Sequence, residues 1–162
     1  MIAPDGTVST VAGSGNSVTQ DGYGLDASFQ NVVALAVSSN GDLYVSDGNV
    51  IRVINATRYV STFVTYYDYF GCQPIFSTIY SLAFDHVGNL LVGENYRILS
   101  ISPTGYASII AGTGTSSASV INGLSNNSTF NGVQSMTVAR DGSIYVADFG
   151  NNMIRKIERI TR

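Results

Sequence analysis

Three carboxylates recur at matching places along the chain: Asp47, Glu94 and Asp148, each with an asparagine close behind it (Asn49, Asn95, Asn151). Carboxylate and amide oxygens are hard-cation ligands, so a ring of these acids could hold calcium or a substrate. The plainer chemistry is a turn, in which the acid accepts backbone N–H bonds at a strand end and pairs with a nearby arginine. Because the acid recurs in every repeat, the turn is the preferred reading, and the metal ring stands as its alternative. Other reactive residue types are sparse. The single histidine, His86, lies in the hairpin sequence Asp85-His86-Val87-Gly88-Asn89 with no nucleophile in view, and the single cysteine, Cys72, has no basic neighbour to lower its pKa. One cysteine forms no internal disulfide, and with one histidine it makes no Cys/His zinc site. Gly13-Ser14-Gly15 and Gly112-Thr113-Gly114 precede neither a helix nor a Gly-Lys-Ser/Thr, so they read as loop glycines rather than phosphate cradles. No catalytic residue and no cofactor is expected.

The chemistry that remains is contact chemistry. Thr65 to Pro74 carries Tyr66, Tyr67, Tyr69 and Phe70 where the corresponding stretches elsewhere are rich in Gly and Ser. Aromatic loops supply contact area at low entropic cost, so these four residues, with Asp21 and Tyr23 of an earlier linker, are the candidate partner-binding set. The competing reading packs the rings over the end of the fold.

Composition narrows the partners. The 162 residues are 44% hydrophobic and only 12% charged, with eight basic residues against eleven acidic ones and a net charge of −3. A chain with one lysine, Lys156, lacks the basic surface that a nucleic-acid backbone requires. No apolar run reaches the length of a membrane span, and the opening residues do not read as a signal peptide. A lysine-poor surface of Ser, Thr and Asn, with the acceptor triplets Asn55-Ala56-Thr57, Asn126-Asn127-Ser128 and Asn127-Ser128-Thr129, favours an extracellular setting.

The elements that must position these residues come from an internal repeat. Phe29 to Asp47, Phe76 to Glu94 and Phe130 to Asp148 superimpose without gaps, each with Gly twelve residues after the Phe and an acid eighteen after it. An alternating apolar strand follows each Phe, a tight Asn-Gly, Gly-Asn or Asp-Gly hairpin comes next, and a second strand runs to the acid. Third strands (IRVI, ILSI, IRKI) and fourth strands (YVSTFV, YASIIAG) complete four antiparallel strands per unit. Four strands per unit of about 40–50 residues is the arithmetic of a β-propeller blade.

Phe130, Asp141-Gly142, Tyr145-Val146-Ala147-Asp148 and Asn151 to Ile157 resemble the NHL-repeat β-propeller family, and the resemblance runs through nearly the whole chain. It departs from the family pattern in the second repeat, where Glu94 replaces the Asp and Leu99 stands where the others have Arg52 and Arg155. The expected fold is all-β: three four-stranded blades, half of a six-bladed ring. Their expected bounds are 29–64, 76–112 and 130–162, the last blade lacking its outer strand, with 1–13 as that strand. Ile2 to Gly13 matches Ile101 to Gly112 position for position, which identifies it as a displaced fourth strand.

Three blades are too few to close a ring, since propellers have about four to eight. Either two chains close head to tail by exchanging the N-terminal strand, the preferred reading, or the remaining blades belong to a longer chain. The expected function is a non-catalytic scaffold or binding module presenting a loop-rich face to a protein, peptide or glycan. The alternative is a calcium-dependent hydrolase or lactonase built on a six-bladed ring.

Overall fold

The structure, a computed structural model, describes residues 5–63, 76–117, 119–124 and 127–158, and the backbone of 66–67. It is mainly β, with short 3-10 turns at Gly24–Asp26 and Phe149–Asn151. The strands are β1 (Gly22–Tyr23), β2 (Val32–Val37), β3 (Leu43–Asp47), β4 (Val50–Ile54), β5 (Tyr59–Phe63), β6 (Tyr66–Tyr67), β7 (Ser81–Phe84), β8 (Leu90–Gly93), β9 (Ile98–Ile101), β10 (Tyr106–Ala111), β11 (Val133–Val138), β12 (Ile144–Asp148) and β13 (Met153–Ile157). They form three sheets, in the orders β1-β5-β4-β3-β2, β6-β10-β9-β8-β7 and β11-β12-β13.

Each sheet is built around an antiparallel meander that begins with the strand after its Phe. The first hairpins are set by Gly41, Gly88 and Gly142, at φ of 89°, 88° and 84°. Only a residue without a Cβ takes that conformation freely. There each glycine donates its N–H back across the turn, to Ser38, Asp85 and Ala139 respectively. The sequence expectation of four strands per unit is amended at both ends. In the first sheet the linker doubles back, so that Gly22 pairs with Val60 and Tyr23 with Tyr59. In the second, the backbone of Tyr66 and Tyr67 runs parallel to Tyr106 and Ala107. The third sheet has three strands among the described residues, and β13 is its edge.

The sheets stack in chain order, with β7 packed between β2 and β11. Strand alternation sorts the side chains of each sheet onto two faces. One face of the first sheet (Ala36, Ile51, Tyr44, Phe63) meets Leu82, Leu90, Val92, Leu99 and Ile101 of the second. The opposite face of the second (Leu91, Ile98, Ala111) meets Val133, Met136, Ile144 and Val146 of the third. A smaller cluster of Ala27, Val45, Ile54 and Val60 lies under the first linker, with Val11, Ala12 and Phe29 against it. No helix of the described residues is long and apolar enough to cross a membrane.

Candidate functional site

The repeated acids stand at the strand ends that face the linkers. In the first sheet, Asp47 Oδ1 accepts the backbone N–H groups of Gln30 and Asn31, both at 2.7 Å. Its Oδ2 accepts from Thr19 Oγ1 at 3.1 Å and from Arg52 Nη1 at 3.2 Å. Arg52, wholly buried, also donates to the Ser28 carbonyl at 3.1 Å and to Asp21 Oδ1 at 2.6 Å. Its guanidinium lies 5.3 Å from the centre of the Phe29 ring, which covers the charge where Nε has no hydrogen-bond partner.

The third sheet repeats the arrangement with different outer partners. Asp148 Oδ1 accepts the Asn131 N–H at 2.8 Å, and Oδ2 accepts from Arg155 Nη1 and Asn151 Nδ2, both at 2.9 Å. Arg155 donates to the carbonyls of Thr129 and Ile121 and to Asn122 Oδ1. The Phe130 ring centre lies 5.0 Å from its guanidinium. Asn122 thus takes the part played by Asp21 in the first sheet.

The second sheet, with Leu99 in the arginine position, reaches the same result by another route. Glu94 Oε1 accepts the Ser77 N–H at 2.8 Å, and Oε2 is bonded by Arg97 Nε from the turn just after it. Sequence reasoning registered the missing arginine and not its replacement. The available signal was the coupled change: a side chain one carbon longer, with an arginine three residues on. In all three sheets the carboxylate oxygens are engaged by donors, and each acid locks the incoming linker onto the sheet.

Asp21 belongs to this network, since both of its oxygens also accept from Thr62, through N–H and Oγ1. Tyr23 lies on the outer edge of the first sheet, 60% exposed, edge-on to Tyr59 with ring centres 4.7 Å apart. The backbone of Tyr66 and Tyr67 lies along the outer edge of the second sheet, as that of Tyr23 does along the first. Tyr69, Phe70 and Cys72 lie outside the described residues. His86 is exposed, its Nε2 2.7 Å from the Ala139 carbonyl, which ties neighbouring hairpins together. Among the described residues no three His, Cys, Asp or Glu side chains cluster in a way that would hold a metal ion.

Stacked antiparallel meanders, each beginning at an inner strand and tied at one face by its linker, define a β-propeller-like fold. The chain is similar to a structural-genomics protein of unknown function from Bacteroides thetaiotaomicron, with 24% identity and a TM-score of 0.64 over 78% of this chain and 33% of that one. It is similar to virginiamycin B lyase from Staphylococcus aureus, a catalytically inactive variant with quinupristin, with 14% identity and a TM-score of 0.51 over 87% of this chain and 48% of that one. A streptogramin B lyase matches at 11% identity and a TM-score of 0.50, over 81% of this chain and 41% of that one. The chain therefore spans less than half the length of these solved structures, and at such identities the likeness concerns the fold. No family model matches the chain, and no curated protein matches it.

Proposed function

We propose that the chain is a propeller segment of NHL type that works as a non-catalytic binding or scaffold module, presenting its linker face to a protein, peptide or glycan in an extracellular setting. The observation that supports this reading is the use made of the three acids. Asp47, Glu94 and Asp148 hold the linkers in place through backbone N–H and arginine donors, so the groups best suited to chemistry serve as struts. Linkers locked in this way form a preorganised surface, which lowers the ordering cost of binding. The lysine-poor composition fits the extracellular part of the reading.

The test is a screen on peptide and glycan arrays, followed by titration of any ligand against a Tyr23→Ser, Tyr66→Ser, Tyr67→Ser variant. Loss of binding at an unchanged melting temperature supports the contact role. Loss of stability without any ligand for the wild type would overturn it. Calcium separates this reading from a calcium-dependent hydrolase. With its acid oxygens already bonded, the binding module should melt at the same temperature with and without millimolar calcium, whereas a clear rise would favour the enzyme.

A further inference from the structure

The two ends of the stack carry faces that the interior of the stack buries. Leu35 of β2 is 58% exposed, while its counterparts in the second and third sheets, Leu82 and Met136, are 6% and 8% exposed. At the other end Ile154 is 75% exposed, while its counterparts Ile51 and Ile98 are wholly buried. The two internal interfaces join that same pair of faces. A groove of about 950 Å³ runs beside β13 at the third sheet, lined by Ala111, Leu124, Phe130, Ile144, Arg155 and Ile157 among others. It lies where β5 and β10 complete the first two sheets.

The chain holds a segment made for that groove. Val8-Ser9-Thr10 is identical to Val60-Ser61-Thr62 of β5. The turn before it is already formed, with Gly6 at φ 85° against 64° for Arg58 and 90° for Gly105 in the equivalent turns. Yet Val8 is 75% exposed where Val60 is wholly buried and Ala107, its counterpart in β10, is 2% exposed. Within one chain Val8 takes part in an isolated β-bridge, Val11 and Ala12 pack under the first linker, and Gly13 donates its N–H to Gly24.

We propose that the groove beside β13 binds residues 7–11 of a second copy of this chain as an added antiparallel strand, and that two copies exchange the segment reciprocally. Register follows from the other sheets, in which Ile54 pairs with Val60 and Ile101 with Ala107. Val8 of one copy then lies opposite Ile157 of the other, its methyls in the apolar groove. Thr62 Oγ1 donates to Asp21 at 3.2 Å, and Arg52 donates to the same oxygen. Thr10 takes the Thr62 part, reaching the Asn122 side chain that Arg155 already holds at 2.9 Å. The exchange seats the Leu35 face of each copy against the Ile154 face of the other and pairs the outer edge of β13.

Light scattering on a sizing column should give twice 17.2 kDa for the wild type. Val8→Asp should give the single-chain mass with an unchanged far-UV circular dichroism spectrum, because Val8 is exposed within its own chain, while Val8→Ile keeps the dimer. Thr10→Val, which loses one hydrogen bond across the join, should weaken the dimer about fivefold. A peptide of residues 5–13 added in excess to the wild type should dissociate it. A wild type of single-chain mass overturns the proposal and assigns the groove to blades carried elsewhere. So does a Val8→Asp dimer of undiminished affinity.

Discussion

The Arg52 guanidinium lies 3.2 Å from the Asp47 carboxylate, with both side chains shut away from solvent. Removing Asp47 leaves the buried Arg52 with Asp21 as its remaining carboxylate and takes the acceptor from the Gln30 and Asn31 N–H groups. Asp47→Ala should cost about 3–5 kcal/mol in urea unfolding. Adding Arg52→Leu, the residue type that Leu99 supplies in the second sheet, should recover part of that loss by removing the buried guanidinium, while the Gln30 and Asn31 N–H groups stay without their acceptor. Additive losses in the double variant would mean that the two residues act independently.

The Glu94–Arg97 pair should matter less than its relatives. The Arg97 side chain is 20% exposed, against 9% for Arg155. Arg97→Ala should lower stability by about 1 kcal/mol, and Arg155→Ala by about 3 kcal/mol. Equal losses would show that the second sheet depends on its improvised pair as heavily as the others on theirs.

Tyr44 links the first two sheets, with its ring 5.2 Å from Phe63 and 5.1 Å from Phe84. Burial, aided by the nearby Asp42 carboxylate, raises its phenol pKa above the ordinary value of 10.0. The folded state therefore keeps its proton at a pH where the unfolded chain has begun to lose it. This contribution is whole below pH 10 and is lost as pH rises through the folded value. Melting temperatures measured from pH 9 upward should fall in the wild type and fall less in Tyr44→Phe. Parallel profiles would remove Tyr44 as the cause.

Gly93 packs directly against the third sheet. A Cβ there would lie 2.6 Å from Val133 Cγ1 and 3.2 Å from Met136 Cε. Val133 is fully buried and has no room to retreat. Gly93→Ala should cost about 1–3 kcal/mol by overpacking, and adding Val133→Ala should return part of it. A neutral Gly93→Ala would mean that the two sheets slide apart readily.

The repeat, its hairpins and the recurrence of the acid were legible in the chain because they are local. Alternation sets a strand's two faces, and a glycine at a fixed place sets its turn. The pairing of Asp47 with Arg52, a few residues apart across one hairpin, is nearly as local. Arg97 was harder to read, because it enters from a turn rather than from the strand position that holds arginine elsewhere. The part of Asp21 was not legible at all: it reaches Arg52 and Thr62 only because the linker folds back over the sheet.

By itself, then, the sequence determined the strand repeat, the faces each strand would bury and the likeness of residues 2–13 to a fourth strand. Tertiary structure alone decided which faces meet and which stay open. It put Ile51 and Ile98 inside the stack and left Ile154, the same repeat position, 75% exposed. It also placed Tyr23 and the Tyr66–Tyr67 backbone on separate outer edges. The physical reason is that periodicity depends on neighbours along one strand, whereas burial depends on the surface brought against it by chain far away in sequence.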